Sequence, residues 1–309
     1  MRNKSKITAI VITILISFLL GLISIYFMGE YGWTVFVLIP LLIGFLPPYL
    51  IGFFEEISAK DAYKLSFSTL GIALLCLLVF ALEGMICIVM ALPILALLTW
   101  FGAFISVQTN KNIKNNIPLI VVGITLLSAS SMSFDSLNSP SLIPVKTIII
   151  VNAPMHEVWE NVVTFNKIEE PNDWIFNTGI SYPTDATIKG SGVGAIRYCN
   201  FTTGSFVEPI TTWDEPNLLQ FDVAKQPTPM NEFNPFWDIH PPHLDGYFQS
   251  QKGQFKLTSI DDSTTSLEGT TWYKVDITPE FYWKAWSDFI IHRIHVRVLT
   301  HIKNESENQ

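Results

Sequence analysis

Residues 240–248 read HPPHLDGYF. His240 and His243 stand three apart, and Asp245 follows two residues on. Imidazole and carboxylate are zinc ligands, and a catalytic zinc takes three of them while keeping one position open. His292 and His295, at i and i+3 in a helical pattern, could supply more. These five residues are therefore the candidates for a metal site. The pattern is nevertheless weak: HPPH is not HExxH, and no glutamate follows it as a base. Pro241-Pro242 holds an extended segment on which the two imidazoles need not converge. Asp288, four residues before His292, gives that histidine an ordinary helix-surface partner. Metal binding is the minor reading, and no cofactor is expected.

General acid/base chemistry has more candidates. Glu160, Glu208, His240, Asp245 and Arg197 are available for it. Their spacing selects no pair, so the catalytic residues stay unassigned. Cys199 sits in mid-strand, and no nucleophile elbow is present. GSGVG (190–194) precedes a strand instead of opening a helix, so Gly190, Gly192 and Gly194 read as turn glycines rather than a dinucleotide fingerprint.

The elements that must position these groups divide near residue 140. The whole chain has 309 residues, net charge -8 and mean hydropathy +0.35. Residues 1–140 carry seven Lys/Arg and six Asp/Glu, whereas the rest carries 12 basic and 21 acidic residues, a net of -9. All six histidines and seven of the nine tryptophans lie in that second part. A first part so poor in charge reads as membrane-embedded, and the second as a water-facing domain. An acidic domain with scattered lysines argues against nucleic acid.

A bilayer core about 30 Å thick needs roughly 20 apolar residues per helix. Five spans follow, at about residues 7–28, 33–54, 66–82, 85–107 and 118–134. Glu83-Gly84 makes the turn between the third and fourth. Pro47-Pro48 should kink the second, which neighbouring helices can tolerate by satisfying the freed carbonyls. Arg2, Lys4 and Lys6 precede span one, Lys60 and Lys64 lie between spans two and three, and Lys111 and Lys114 lie between four and five. The loops GEYGW and EG carry none. By the positive-inside rule the amino terminus is cytoplasmic. The domain then emerges on the outer face, or stays cytoplasmic if the fifth span fails. Cys76 and Cys87 fall inside spans, so Cys199 has no partner within its domain.

Residues 135–144 form a polar linker, and 305–309 a tail. Between them, VKTIIIV (145–151) reads as a strand. In NAPMHEVWENVV, Asn152 can cap a helix with Val158, Trp159, Val162 and Val163 as its apolar stripe. SFVEPITTWDEPNLLQFDV and GQFKLTSIDDSTTSLEGTTWYKV each read as two strands, hinged at Asp214-Glu215-Pro216 and Asp261-Asp262-Ser263. A long helix starts at Pro279. Alternation turns Leu219, Phe221, Val223, Phe255, Leu257, Leu267, Tyr273 and Val275 to one face.

The order of IIIVNAPMHEVWENV, GSGVGAIRY, VEPITTWDEPNLLQFDV, GQFKL, TSLEGTTWY and the terminal helix ending RVLTHIK resembles the START-like, or SRPBCC, superfamily, particularly its polyketide cyclase/dehydrase-like members. The resemblance covers residues 145–304 and none of the membrane part. It implies an α+β helix-grip fold: a curved antiparallel sheet gripping a long terminal helix, with a cavity between them for an apolar or amphipathic molecule. Its lining is expected from Trp159, Trp174, Phe176, Arg197, Phe221, Tyr247, Phe255, Tyr273, Tyr282, Trp286, Ile290 and Arg297. On the terminal helix, Trp283, Trp286, Ile290 and Ile294 share one flank, with Arg293 and Arg297 at its edge and Asp288, His292 and His295 opposite. The Pro/Asn-rich stretch 226–248 reads as a lid, through Phe233, Phe236, Trp237, His240, His243 and Asp245, with Phe236 and Trp237 also able to touch the bilayer. Three functions follow. The first is membrane-tethered binding of a hydrophobic or amphipathic small molecule, a lipid or metabolite. The second is a cyclase/dehydratase-type enzyme, and the third a scaffold whose domain binds protein. No sequence feature reports the oligomeric state.

Overall fold

The computed structural model describes residues 2–52, 54–109 and 141–308, with isolated positions between 110 and 140. The fifth span expected at 118–134 therefore falls almost wholly outside the described residues. The chain divides into two compact units. One holds residues 1–139 together with Glu232–Pro241 and Ile277–Phe281; the other holds Pro140–Asn231, Pro242–Asp276 and Tyr282–Gln309.

The first unit is helical: α1 (Arg2–Leu22), α2 (Ile39–Gly52), α3 (Ala59–Val79) and α4 (Met85–Thr109), with π-helical turns at Ile23–Phe27 and Thr34–Leu38. Four helical stretches, Lys4–Phe27, Thr34–Gly52, Ala59–Val79 and Met85–Thr109, are long and apolar enough to cross a membrane. The third begins at Ala59 rather than near residue 66. Ser58 accepts a hydrogen bond from the Asp61 amide at 3.2 Å and so starts the helix two polar turns ahead of the apolar run.

Between helices the packing relies on small residues. A Cβ on Gly44 would stand 2.1 Å from the Thr99 carbonyl oxygen, and one on Gly102 2.3 Å from that of Leu41, so α2 and α4 cross backbone to backbone. Pro47 and Pro48 lie inside α2. Pro48 has no N–H to offer the Gly44 carbonyl four residues back. The Ser66 hydroxyl of α3 donates to that oxygen instead, at 2.6 Å. The freed acceptor is thus satisfied by a neighbour, as apolar surroundings demand.

The second unit is α+β. Its seven strands are β1 (Ile143–Val151), β2 (Pro183–Lys189), β3 (Ile196–Phe201), β4 (Gly204–Asp214), β5 (Leu218–Asp222), β6 (Phe248–Asp261) and β7 (Thr264–Val275). They form one antiparallel sheet in the order β1-β7-β6-β5-β4-β3-β2. Helix α5 (Met155–Val163) follows β1, and the 28-residue α6 (Glu280–Glu307) closes the chain. This is the helix-grip architecture.

Gly190, Gly192 and Gly194 have φ of 90°, 76° and 91°, so the GSGVG run is indeed a turn that needs glycine. Asn152 does not cap α5. Pro154 occupies the cap position, and the Asn152 amide instead donates to Glu307 Oε1 at 2.6 Å.

Strand alternation places one side chain in two in the core. Leu219, Phe221, Phe255, Leu257 and Leu267 join Val158, Trp159 and Val162 of α5 and Val298, Leu299 and Ile302 of α6 in a single cluster. Gly269 of β7 lets α6 approach, since a Cβ there would meet Leu299 at 3.4 Å. The face of α6 turned to β1 and β7 carries Asp288, His295 and Leu299. Tyr273 Oη donates to Asp288 at 2.8 Å, and Thr271 Oγ1 lies 2.8 Å from His295 Nε2. Trp286, Ile290 and Ile294 are only half-buried. The face against the sheet thus combines apolar residues, Leu299 among them, with Asp288 and His295, whose partners are strand hydroxyls.

Candidate functional site

The most buried charged side chain of the second unit is Arg197, 1% exposed. It arrives there by strand geometry. Alternation on β3 turns Arg197 and Cys199 inward, and the β3–β4 register sets Arg197 directly opposite Glu208. Glu208 is 5% exposed and pairs with Arg197 Nη1. Arg197 Nε donates to the Val163 carbonyl at 3.2 Å. Val163 ends α5, so the guanidinium also neutralises one of the orphan carbonyls and the negative pole of that helix. The rings of Phe165, Phe221 and Phe255 surround the guanidinium, their centroids 5.6, 5.6 and 5.5 Å away, within cation–π range.

Arg197 Nη2 is buried and has no hydrogen-bond acceptor among the described residues. A buried donor left without a partner costs about 1–3 kcal/mol. His301 Nε2 on α6 is in the same condition. Phe165 stands between the two, since its ring also meets the His301 imidazole edge-on at 5.8 Å. Two nitrogens without hydrogen-bond partners among the described residues thus flank one aromatic ring beside the Arg197–Glu208 pair.

Burial sets the electrostatics. It raises the Glu208 pKa, with Arg197 opposing the shift. Burial also works to lower that of Arg197, but Glu208 and then Cys199 outweigh it and the net shift is upward. The guanidinium therefore keeps its proton, and the carboxylate is the member able to take one up. Cys199 is pushed up to about 12, chiefly by burial and then by Glu208, so its thiol is neutral and inert as a nucleophile. Burial lowers the His301 pKa.

A second polar cluster lies against α6. His295 Nδ1 and His292 Nδ1 both meet Thr147 Oγ1, at 3.1 and 2.8 Å, and Thr271 takes the other His295 nitrogen. Burial first, and the neighbouring His292 second, bring the His295 pKa down to about 4.

The expected lining residues are dispersed. Trp159, Phe221, Phe255 and Arg197 share the core around the ion pair. Tyr273 joins Asp288 and stacks on Phe248. Phe176 is buried against Tyr182, while Trp174, two residues earlier, is 62% exposed. Tyr247, Tyr282, Trp286 and Ile290 are half-buried. Arg293 pairs with Asp173. Arg297 donates to the carbonyls of Pro183 and Glu169, at 3.1 and 2.7 Å, and lies over the Tyr182 ring. Both arginines thus have structural partners within the domain.

The stretch expected as a lid is shared between the units: Phe233, Phe236, Trp237 and His240 belong to the first, His243 and Asp245 to the second. Glu160, on α5, is exposed. Of the acid/base candidates, then, the structure brings Arg197 and Glu208 together. His301, absent from the sequence-based candidates, joins them through Phe165. Part of the signal for the pair was present, since AIRYC and SFVEPI are alternating runs around the Thr202-Thr203-Gly204 turn, but the register that sets residue 197 against 208 comes from the structure. For His301, a residue on a long helix, no local pattern exists.

Sheet order and terminal helix define the class: an α+β helix-grip domain with a buried ion pair under α5, joined in one chain to a helical part with four long apolar helices among the described residues. Solved structures of similar fold include truncated norcoclaurine synthase of Thalictrum flavum, at 14% identity and TM-score 0.35, over 54% of this chain and 94% of that one. The ZhuI aromatase/cyclase of Streptomyces sp. R1128 is similar at 13% and 0.35, over 54% and 95%. A protein of Nitrosospira multiformis is similar at 18% and 0.34, over 53% and 96%. No family model and no curated protein matches the chain.

Proposed function

We propose that the second unit binds an apolar or amphipathic small molecule that carries an oxygen acceptor, and that the apolar helices hold this unit at a membrane, with the amino terminus cytoplasmic. The observation that carries this reading is Arg197 Nη2, a fully buried donor with no acceptor among the described residues, ringed by Phe165, Phe221 and Phe255. An apolar body suits those rings, and a carbonyl or hydroxyl oxygen would satisfy Nη2. Because Arg197 and Glu208 already neutralise each other, a neutral acceptor brings no unpaired charge into the interior. Tethering suits such a molecule, whose concentration is highest in the bilayer.

A second reading has one observation in its favour. Glu208 is a buried carboxyl of raised pKa whose partner is fixed as a cation, which is an arrangement suited to moving a proton beside a bound carbonyl. That is chemistry of the cyclase/dehydratase kind.

The test uses the full-length protein in detergent. Organic extraction and mass spectrometry should recover an oxygen-bearing apolar molecule. Tryptophan emission should respond more strongly to a long-chain methyl ketone than to the alkane of equal length, by about tenfold in affinity for one hydrogen bond worth about 1.4 kcal/mol. A protein that yields nothing on extraction and responds to neither probe overturns the reading.

A further inference from the structure

The first unit contains two stretches, Glu232–Pro241 and Ile277–Phe281, that come from far along the chain. Their hydrogen bonds show where they belong. The last carbonyls of a helix and its first amides have no partner inside it. At the end of α3, the Leu78 carbonyl accepts from Asn234 Nδ2 at 3.0 Å, and the Val79 carbonyl from Trp237 Nε1 at 2.8 Å. At the start of α4, the Met85 amide donates to the Phe233 carbonyl at 2.8 Å. Asn234 Nδ2 also reaches the Glu83 carbonyl, at 3.2 Å. Residues 233–237 therefore cap both helices of the α3–α4 hairpin.

The second stretch is fixed at the same end. The Thr278 amide donates to the Tyr31 carbonyl at 3.1 Å, and Ile277 and Tyr31 form a β-bridge. Tyr31 Oη in turn donates to Glu83 Oε1 at 3.2 Å. The loops 28–33 and 80–84 and both inserted stretches thus meet in one place. Helix α3 has 21 residues, about 31 Å at 1.5 Å each, which matches the hydrocarbon thickness. Its capped end therefore falls at one boundary of the apolar layer and Lys60 and Lys64 at the other.

Two features mark the capped end. Phe27, Phe80, Phe233, Phe236, Trp237 and Phe281 are all more than half exposed there. Trp237 presents its ring outward while its N–H is satisfied, as tryptophans at a lipid–water boundary do. Charge supplies the second feature. The two loops and the two stretches contain Glu30, Glu83, Glu232, Asp238 and Glu280 and no Lys or Arg, whereas Lys4, Lys6, Lys60 and Lys64 lie toward the opposite ends of α1 and α3.

We propose that Glu232–Pro241 and Ile277–Phe281 form an aromatic collar in the lipid headgroup region of the non-cytoplasmic leaflet. The intervening residues 242–276 start and finish on that side, so the sheet-bearing unit is non-cytoplasmic as well. The side follows from the loop charges, which put the α3–α4 turn opposite the amino terminus, taken together with the capping contacts at that turn.

Two measurements on the full chain test the two halves of the proposal. A phosphatase that is active only outside the cytoplasm, fused after Gln309, is expected to be active, while a fluorescent protein that matures only in the cytoplasm is expected to stay dark at that position. The reverse pattern overturns the sidedness. In vesicles of phosphatidylcholine brominated near the headgroup end of its acyl chains, quenching of tryptophan emission is expected to fall in Trp237→Phe and to rise in Phe236→Trp. Quenching unchanged in both overturns the collar, and the gain-of-signal variant keeps that result interpretable should Trp237→Phe fold poorly.

Discussion

Replacing Arg197 with methionine leaves Glu208 5% exposed and without its cation. Removing one member of a buried ion pair costs about 3–5 kcal/mol, because the survivor is a desolvated charge. The Val163 carbonyl also loses its donor, worth about 1 kcal/mol. For a domain of this size 1 kcal/mol moves the melting temperature by roughly 2–4 °C, so the single variant should melt about 10 °C or more below the parent. The double variant Arg197→Met/Glu208→Met removes both charges at similar volume and should lie within about 1 kcal/mol of the parent. Its stability would separate a pair kept for binding from a pair kept for folding. The pH dependence supplies a sign. In the single variant the Glu208 carboxyl, already raised by burial, loses the cation that opposes the shift. A carboxyl whose folded pKa is raised favours the folded state as it takes up a proton, so the deficit shrinks as pH falls through that pKa toward the ordinary carboxylate value. Tryptophan-monitored melts of the full-length chain at pH 8 and pH 5 check both points. A single variant as stable as the double, or a deficit independent of pH, would refute the assignment of Glu208 as a buried charge held by Arg197.

Three further outcomes follow from other contacts. Gly253 lies opposite Phe221 in the sheet, and a Cβ there would stand 2.6 Å from the Phe221 ring. Gly253→Ala should cost about 1–3 kcal/mol by overpacking, and Phe221→Leu in the same chain should recover part of it, as melting curves of the two variants would show. His295 has its pKa depressed to about 4 against an ordinary 6.5, so its stabilisation is complete above about 6.5 and is lost as pH falls toward 4. The loss is up to about 3 kcal/mol at 1.36 kcal/mol per unit; melts at pH 7 and 4.5 should show a smaller drop in His295→Gln than in the parent. In the helical unit, Ser66→Ala leaves the Gly44 carbonyl unsatisfied and should cost about 1 kcal/mol in detergent, whereas Gly102→Val collides with backbone and should abolish the folded helical unit, seen as loss of a monodisperse peak.

Much of the architecture was legible because it depends on local pattern. Apolar length marked the four described spans, and β-branched or alternating runs marked every strand of the second unit except β2, along with inward positions such as Leu219, Phe255 and Leu267. Positive φ at Gly190, Gly192 and Gly194 confirms a turn that composition alone suggested. Boundaries were less legible where capping overrides hydropathy, as at Ser58, or where a proline takes the cap from an asparagine, as at Pro154.

The site follows a different rule. Chain order and periodicity determined that Leu219, Phe221, Phe255 and Leu267 would face inward and that a long helix would end the chain. They did not pair Arg197 with Glu208, bring His301 to the far side of Phe165, or carry residues 233–237 to the ends of α3 and α4. Those contacts join residues from 11 to 158 positions apart, some of them in different secondary elements. A side chain's periodicity reports which way it points, whereas its partner is fixed by strand register and by where the backbone runs out of its own hydrogen bonds. That is why HPPHLDGYF stood out in one dimension, while the unpaired nitrogen of Arg197 is visible only in three.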